Sequence, residues 1–159
     1  MIIWVYGLSG SGKTTLAKAL YGEMIRYYPR LIFLDGEDLR RVVPGIGYDE
    51  IGRAKIGEIK CGLAALLDAQ GCAVIVTGVS WRHGDALLVP KYFDIFLDIP
   101  IEECRRRDPK GLYASGDRNV IGVDLTYRRP RNPKLTISAG DQMRGIQHCV
   151  DLMLAAITP

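Results

Sequence analysis

A chain of 159 residues with 48% hydrophobic and 25% charged residues is long enough to bury a core as one domain and too apolar to be disordered. Its net charge of +3 is too small to argue for a nucleic-acid partner and suits Arg and Lys gathered around a small phosphorylated ligand. No apolar run is long enough for a membrane span, and the first apolar stretch lacks the basic start of a secretory leader, so a cytoplasmic protein with no membrane partner is expected.

Taken in order, Ile2 to Tyr6 reads as a strand, followed by Gly7-Leu8-Ser9-Gly10-Ser11-Gly12-Lys13-Thr14, which satisfies G-x-x-x-x-G-K-[ST] without a gap. In such a loop the glycines let backbone N–H groups converge on a phosphate chain at a helix N-terminus. Lys13 would reach the β- and γ-phosphates, and the Thr14 hydroxyl would ligate Mg²⁺. Gly7, Ser9, Gly10, Ser11, Gly12, Lys13, Thr14 and Thr15 are therefore the candidate contacts to ATP. A helix is predicted over 13–27, with Leu16, Leu20 and Met24 on one face.

Strands are predicted at Leu31 to Leu34, Cys72 to Thr77, Phe93 to Ile99 and Leu135 to Ile137, and helices at 37–43, 49–70, 101–107 and 140–156. Continuous rather than alternating hydrophobicity predicts strands covered on both faces. The expected fold is a three-layer α/β P-loop nucleotide kinase, with a central parallel sheet and helices on both faces, as one domain over 1–159. No internal repeat or linker divides it. Ligands of such a sheet gather at the carboxyl ends of its strands, which brings Gly7 to Thr14, Asp35-Gly36-Glu37 and Gly78 to Arg82 to one side.

Phosphoryl transfer needs Mg²⁺, positioned phosphates and an orienter for the attacking hydroxyl. Asp35 ends an apolar strand and is the candidate catalytic base and a Mg²⁺ neighbour; an N-cap role for Asp35 or Asp38 is compatible with it. Glu37 is the neighbouring candidate. The run Arg105-Arg106-Arg107-Asp108-Pro109-Lys110 is a solvated helix end or part of a phosphate-clamping lid over about 105–131. Consecutive helical residues point about 100° apart, so Arg107 and Lys110 are selected from it. Arg118, Arg128, Arg129 and Arg131 lie in a Gly-, Asn- and Pro-rich loop, each expected to be solvated. Tyr48 and Trp81 would either stack on a base or join the core. Cys61, Cys72, Cys104 and Cys149 are expected to be buried free thiols, without metal-ligand spacing.

Gly7 to Ala17, Leu34-Asp35-Gly36-Glu37-Asp38-Leu39-Arg40 and above all Arg107-Asp108-Pro109-Lys110-Gly111-Leu112-Tyr113 resemble the adenylyl-sulfate kinases, as does Gly122-Val123-Asp124 followed by Tyr127, Pro130 and Pro133. The resemblance covers nearly the whole chain. It implies transfer of the γ-phosphoryl group of ATP to the 3′-hydroxyl of adenosine 5′-phosphosulfate, with Mg²⁺. It also implies Asp35 as the catalytic aspartate, and Arg40, Ser80, Lys110 and Tyr48 as acceptor contacts, Tyr48 as one side of an aromatic clamp on the base.

Departures fall on the acceptor side. Glu37 replaces an Asp, the Asn-Ile-Arg-Arg string is absent so that Arg53 alone represents the acceptor-binding arginines, and Val120 stands in the segment that carries the second clamp aromatic. A changed acceptor such as cytidine diphosphoramidate is the alternative reading, and a non-catalytic nucleotide-binding module the second. A GTPase is excluded, because no Asn-Lys-x-Asp follows a strand. The partner expected is a small nucleotide, and a homodimer is compatible with these features.

Overall fold

The computed structural model describes residues 1–79, 92–116 and 118–157. Its centre is β1 (Ile2–Tyr6), every residue of which is buried. Parallel pairing joins β1 to β3 (Ala73–Gly78) on one side and to β4 (Phe93–Asp98) on the other. β2 (Leu31–Leu34) and β5 (Leu135–Ser138) complete the sheet in the order β2-β3-β1-β4-β5, again in parallel.

The side-chain period of two sends successive residues of β1 into different cores. Ile3 and Val5 pack with Leu16, Leu20 and Met24 of α1 (Lys13–Met24) and with Cys149, Val150 and Met153 of α6 (Ile146–Ile157). Ile2, Trp4 and Tyr6 pack on the opposite face with Cys61 and Ala64 of α3 (Glu50–Ala69). Helices therefore cover both faces, as the continuous apolar strands require. No helix among the described residues is long and apolar enough to cross a membrane.

α2 (Gly36–Val42) and α4 (Ile101–Arg107) match their predicted ranges closely. Two predicted helices differ. The one expected over 13–27 ends at Met24, where the amides of Tyr27 and Tyr28 both donate to the Met24 carbonyl and the chain turns toward Pro29, before which helical geometry is disfavoured. The one expected over 140–156 is two helices, α5 (Ala139–Met143) and α6, separated at Gly145, whose φ of 103° suits glycine and interrupts the helical path. Of the cysteines, Cys61, Cys104 and Cys149 are buried as free thiols and Cys72 is partly exposed.

The break matters because α5 starts with a capping box: Ser138 Oγ accepts from the Asp141 amide, and the Asp141 carboxylate accepts from the Ser138 amide. That turn carries Gln142 to the loop over 7–14, where it meets the Ser11 carbonyl. Ser138→Ala is expected to lower unfolding free energy by about 0.5–2 kcal/mol, read from urea unfolding; an unchanged value would show that the capping box contributes nothing.

Candidate active site

The loop after β1 is shaped by backbone that few residues adopt. Gly10 has φ 77°, and a Cβ there would lie 2.7 Å from the Cys104 carbonyl oxygen of α4. This close approach fixes the loop against α4, while the Gly7 and Ser11 amides donate to the Gly78 and Leu8 carbonyls and hold the turn ahead of α1. Lys13 Nζ donates to the Leu8 carbonyl at 2.9 Å, so the ammonium folds back over the loop.

Asp35 follows β2 directly and caps α2, its Oδ1 accepting from the Glu37 amide at 2.8 Å. Its Oδ2 accepts from Thr77 Oγ1 at 2.6 Å and from Thr14 Oγ1 at 3.2 Å. The two readings of Asp35, helix cap and site carboxylate, are therefore satisfied by one side chain. Burial pushes its carboxyl up, but hydrogen bonds from Thr77, the Glu37 amide and Thr14 outweigh that and hold it below its ordinary value. Burial, then the charge of Lys110, lowers the Lys13 ammonium to about 8, with Asp35 opposing the shift.

Two cavities meet at this point. One, of about 870 Å³, runs past Asp35, Glu37, Arg40, Tyr48 and Arg53; the other, of about 580 Å³, follows the loop past Arg107 and Gln142 to Ile146. Both include Ser9, Lys13, Thr14 and Lys110 in their walls. Two clefts that share these walls give the site room for two ligands meeting at Lys13 and Thr14.

The sequence model of the adenylylsulphate kinase family matches residues 1–138. The chain belongs to the adenylylsulphate kinase family. It is 36% identical over 137 residues to the cytidine diphosphoramidate kinase of Campylobacter jejuni, covering 81% of each chain. It is also 36% identical over 147 residues to the adenylyl-sulfate kinase of Pseudomonas aeruginosa, covering 86% of this chain and 75% of that one. The Mycobacterium tuberculosis APS kinase, solved in complex with AMPPNP and APS, superposes with a TM-score of 0.89 at 28% identity, covering 99% of this chain and 97% of that one. Family and fold together make the chain an ATP-dependent kinase with a hydroxyl acceptor.

The family's Asp-Pro-Lys-Gly-Leu-Tyr string is a folded turn here. The Asp108 carboxylate accepts from the amides of Tyr113 and Ala114, each at 3.0 Å, and the Tyr113 hydroxyl donates to the Ser9 carbonyl at 2.9 Å. Lys110, carried on this turn, forms an ion pair with Glu37 across the mouth of the larger cavity. Arg107 is exposed; it donates to Glu103 and, at 2.7 Å, to Gln142 Oε1, while Gln142 Nε2 donates to the Ser11 carbonyl at 2.8 Å. Arg106 also turns to Glu103, leaving Arg107 as the one of the three arginines tied to the loop.

In the wall of the larger cavity, Tyr48 is exposed, which excludes the core reading. Arg40 lies 4.3 Å from its ring centre, and Arg53 donates to the Tyr48 carbonyl and to the Asn119 carbonyl. Burial, reinforced by Arg40, lowers the Arg53 guanidinium below its ordinary value. Val120 is buried and absent from the cavity wall, which Ile121 joins instead, so Val120 does not face Tyr48. Ser80 and Trp81 lie outside the described residues. Arg128, Arg129 and Arg131 line the larger cavity, and Arg129 is paired with Asp98.

Thr77, Gln142 and Lys60 reach the site although the sequence analysis does not select them. Thr77 is the polar residue near the end of an apolar strand and Lys60 a charge in an apolar helical stripe, both readable signals; Gln142 carries none.

The electrostatics make two outcomes measurable. A carboxyl held low in the folded state contributes stability at neutral pH that is lost as acid protonates it. Wild type should therefore lose melting temperature more steeply than Asp35→Asn between about pH 5 and 3; parallel curves would show that the three hydrogen bonds do not hold the charge. Phosphates arriving beside Lys13 raise its pKa from about 8, so at that pH ATP binding should take up about half a proton. Calorimetry in buffers of different ionisation enthalpy measures this, and Lys13→Arg should abolish it.

Proposed function

We propose that the protein transfers the γ-phosphoryl group of ATP to the 3′-hydroxyl of adenosine 5′-phosphosulfate, forming the 3′-phosphorylated sulfate donor. The observation that supports this most is the meeting of two cavities at Lys13 and Thr14, with Asp35 hydrogen-bonded to Thr14 at 3.2 Å. ATP would lie in the smaller cavity, its phosphates in the 7–15 loop and its base toward Arg107 and Ile146. The acceptor would lie in the larger one, against Arg40, Tyr48, Arg53, Glu37 and Lys110.

Asp35 would orient the attacking hydroxyl and accept its proton. A carboxylate held low is a modest base, which suits a loose transition state in which positioning matters more than early deprotonation. Lys13, released from the Leu8 carbonyl, would follow the charge on the transferring group. The Thr14 hydroxyl and Asp35 carboxylate are hard oxygen donors of the kind Mg²⁺ takes alongside water and phosphate oxygens. When bound, Mg²⁺ supplies neutralisation of phosphate charge. Residues 105–131 would act as a lid, with the Lys110–Glu37 pair opening to admit substrates. The reading fits a cytoplasmic enzyme supplied with ATP.

One feature favours a second acceptor, cytidine diphosphoramidate. Val120, in the segment expected to carry the second clamp aromatic, is buried, and a smaller base needs less stacking surface. Labelled ATP with each acceptor decides: higher kcat/KM for adenylyl sulfate supports the first reading, and higher kcat/KM for the cytidine compound replaces it. Asp35→Ala should lower kcat by about 10²–10⁴-fold; unchanged turnover would remove Asp35 from the chemistry.

A further inference from the structure

α3 buries the stripe Gly52, Ile56, Lys60, Cys61 and Ala64. Lys60 stands in it where a helix turned toward a core ordinarily carries an apolar residue. The residue is only 6% exposed. Its ammonium donates to the Thr77 carbonyl at 3.0 Å and lies 5.3 Å from the centre of the Trp4 ring. A charge kept in such surroundings is costly unless compensated, and departures from the apolar pattern concentrate where function requires them.

Lys60 also lines the larger cavity. Thr77, whose carbonyl it holds, is the residue whose hydroxyl donates to Asp35. Three ammoniums on separate elements thus surround the Asp35 corner of this cavity: Lys13 of α1, Lys110 of the turn after α4, and Lys60 of α3. The charge of Lys60 reaches Lys13 and helps to lower its pKa. Lys13 serves the donor loop and Lys110 is paired with Glu37 at the mouth. Lys60 lies about two turns along α3 from Arg53, on the same cavity wall. The Lys60 ammonium also stands beside the start of α2: a Cβ on Gly36, the residue after Asp35, would lie 3.7 Å from its Nζ.

We propose that Lys60 is a specificity-determining residue for the acceptor: its ammonium forms the deep cationic wall of the acceptor cavity and takes the anionic group at the acceptor's 5′ end, so that nucleotides are chosen over neutral nucleosides. This rests on the kinase reading above, whichever base the acceptor carries.

The test compares wild type with Lys60→Met, which keeps the stem over Trp4 and removes the charge, and with Lys60→Arg, which restores it. The readouts are KM for the anionic acceptor that wild type uses, KM for ATP, and the inhibition constant of the parent nucleoside. Lys60→Met should raise the acceptor KM about ten- to hundredfold, the loss of a charge-assisted hydrogen bond. ATP KM and nucleoside inhibition should stay within about twofold, and Lys60→Arg should recover part of the loss. An unmoved acceptor KM, or an equal loss for nucleotide and nucleoside, makes Lys60 a support for Thr77 alone and overturns the inference. Should Lys60→Met not fold, Lys60→Gln against Lys60→Arg makes the same comparison, and an unmoved acceptor KM overturns the inference there too. A wild type inactive on every acceptor overturns the kinase reading and this inference together; an active one with unchanged discrimination in the variants overturns only the inference.

Discussion

The carboxylate of Asp35 joins three segments that are far apart in the chain. It accepts from Thr14 at the start of α1, from Thr77 near the end of β3, and from the Glu37 amide at the start of α2. These bonds are possible because β2, β3 and β1 are adjacent and parallel, so that all three carboxyl ends open on one side. Each partner is a hydroxyl or an amide, and together they keep a half-buried carboxylate charged against the cost of its burial. The charge beside the phosphate-binding loop is thus a property of the sheet order rather than of any single residue.

The loop itself is held from outside by residues that follow the fourth strand. Tyr113 anchors on the Ser9 carbonyl, and Gln142 on the Ser11 carbonyl while it also receives Arg107. These partners satisfy loop carbonyls that would otherwise be left unpaired. The Asp108 carboxylate closes the turn that carries both Lys110 and Tyr113. The turn after α4 is thus tied to the loop directly through Tyr113, and Arg107 is tied to it through Gln142.

The larger cavity's wall at Tyr48 is built differently, from cations arranged around that exposed ring. Arg40 is held by the carbonyls of Ile46 and Gly47, and Arg53 by those of Tyr48 and Asn119. Both guanidiniums stand near the Tyr48 ring. Cation–π contact of this kind is worth about 0.5–1 kcal/mol at exposed sites, enough to orient the ring without sequestering it.

Periodicity alone revealed much of this molecule. The apolar runs from Ile2, Leu31, Cys72, Phe93 and Leu135 hold the five strands of the described residues, the third starting one residue later at Ala73, and their lack of alternation made both-face coverage a necessity, because a parallel sheet with a wet face would expose that hydrophobicity. The string from Gly7 to Thr14 and the position of Asp35 after β2 were equally legible, since local backbone chemistry and strand ends are written in neighbouring residues. The split at Gly145 was less so, because the apolar pattern of α6 runs back toward α5 and obscures a single backbone departure. Contacts between distant segments had no such local signature. That Val120 turns inward, that Gln142 meets Ser11, and that Lys60 stands beneath Thr77 were decided only when β3 and β4 paired with β1 and brought α3, α5 and the lid turn around one cleft, because side chains separated by scores of residues become neighbours through sheet order and not through sequence spacing.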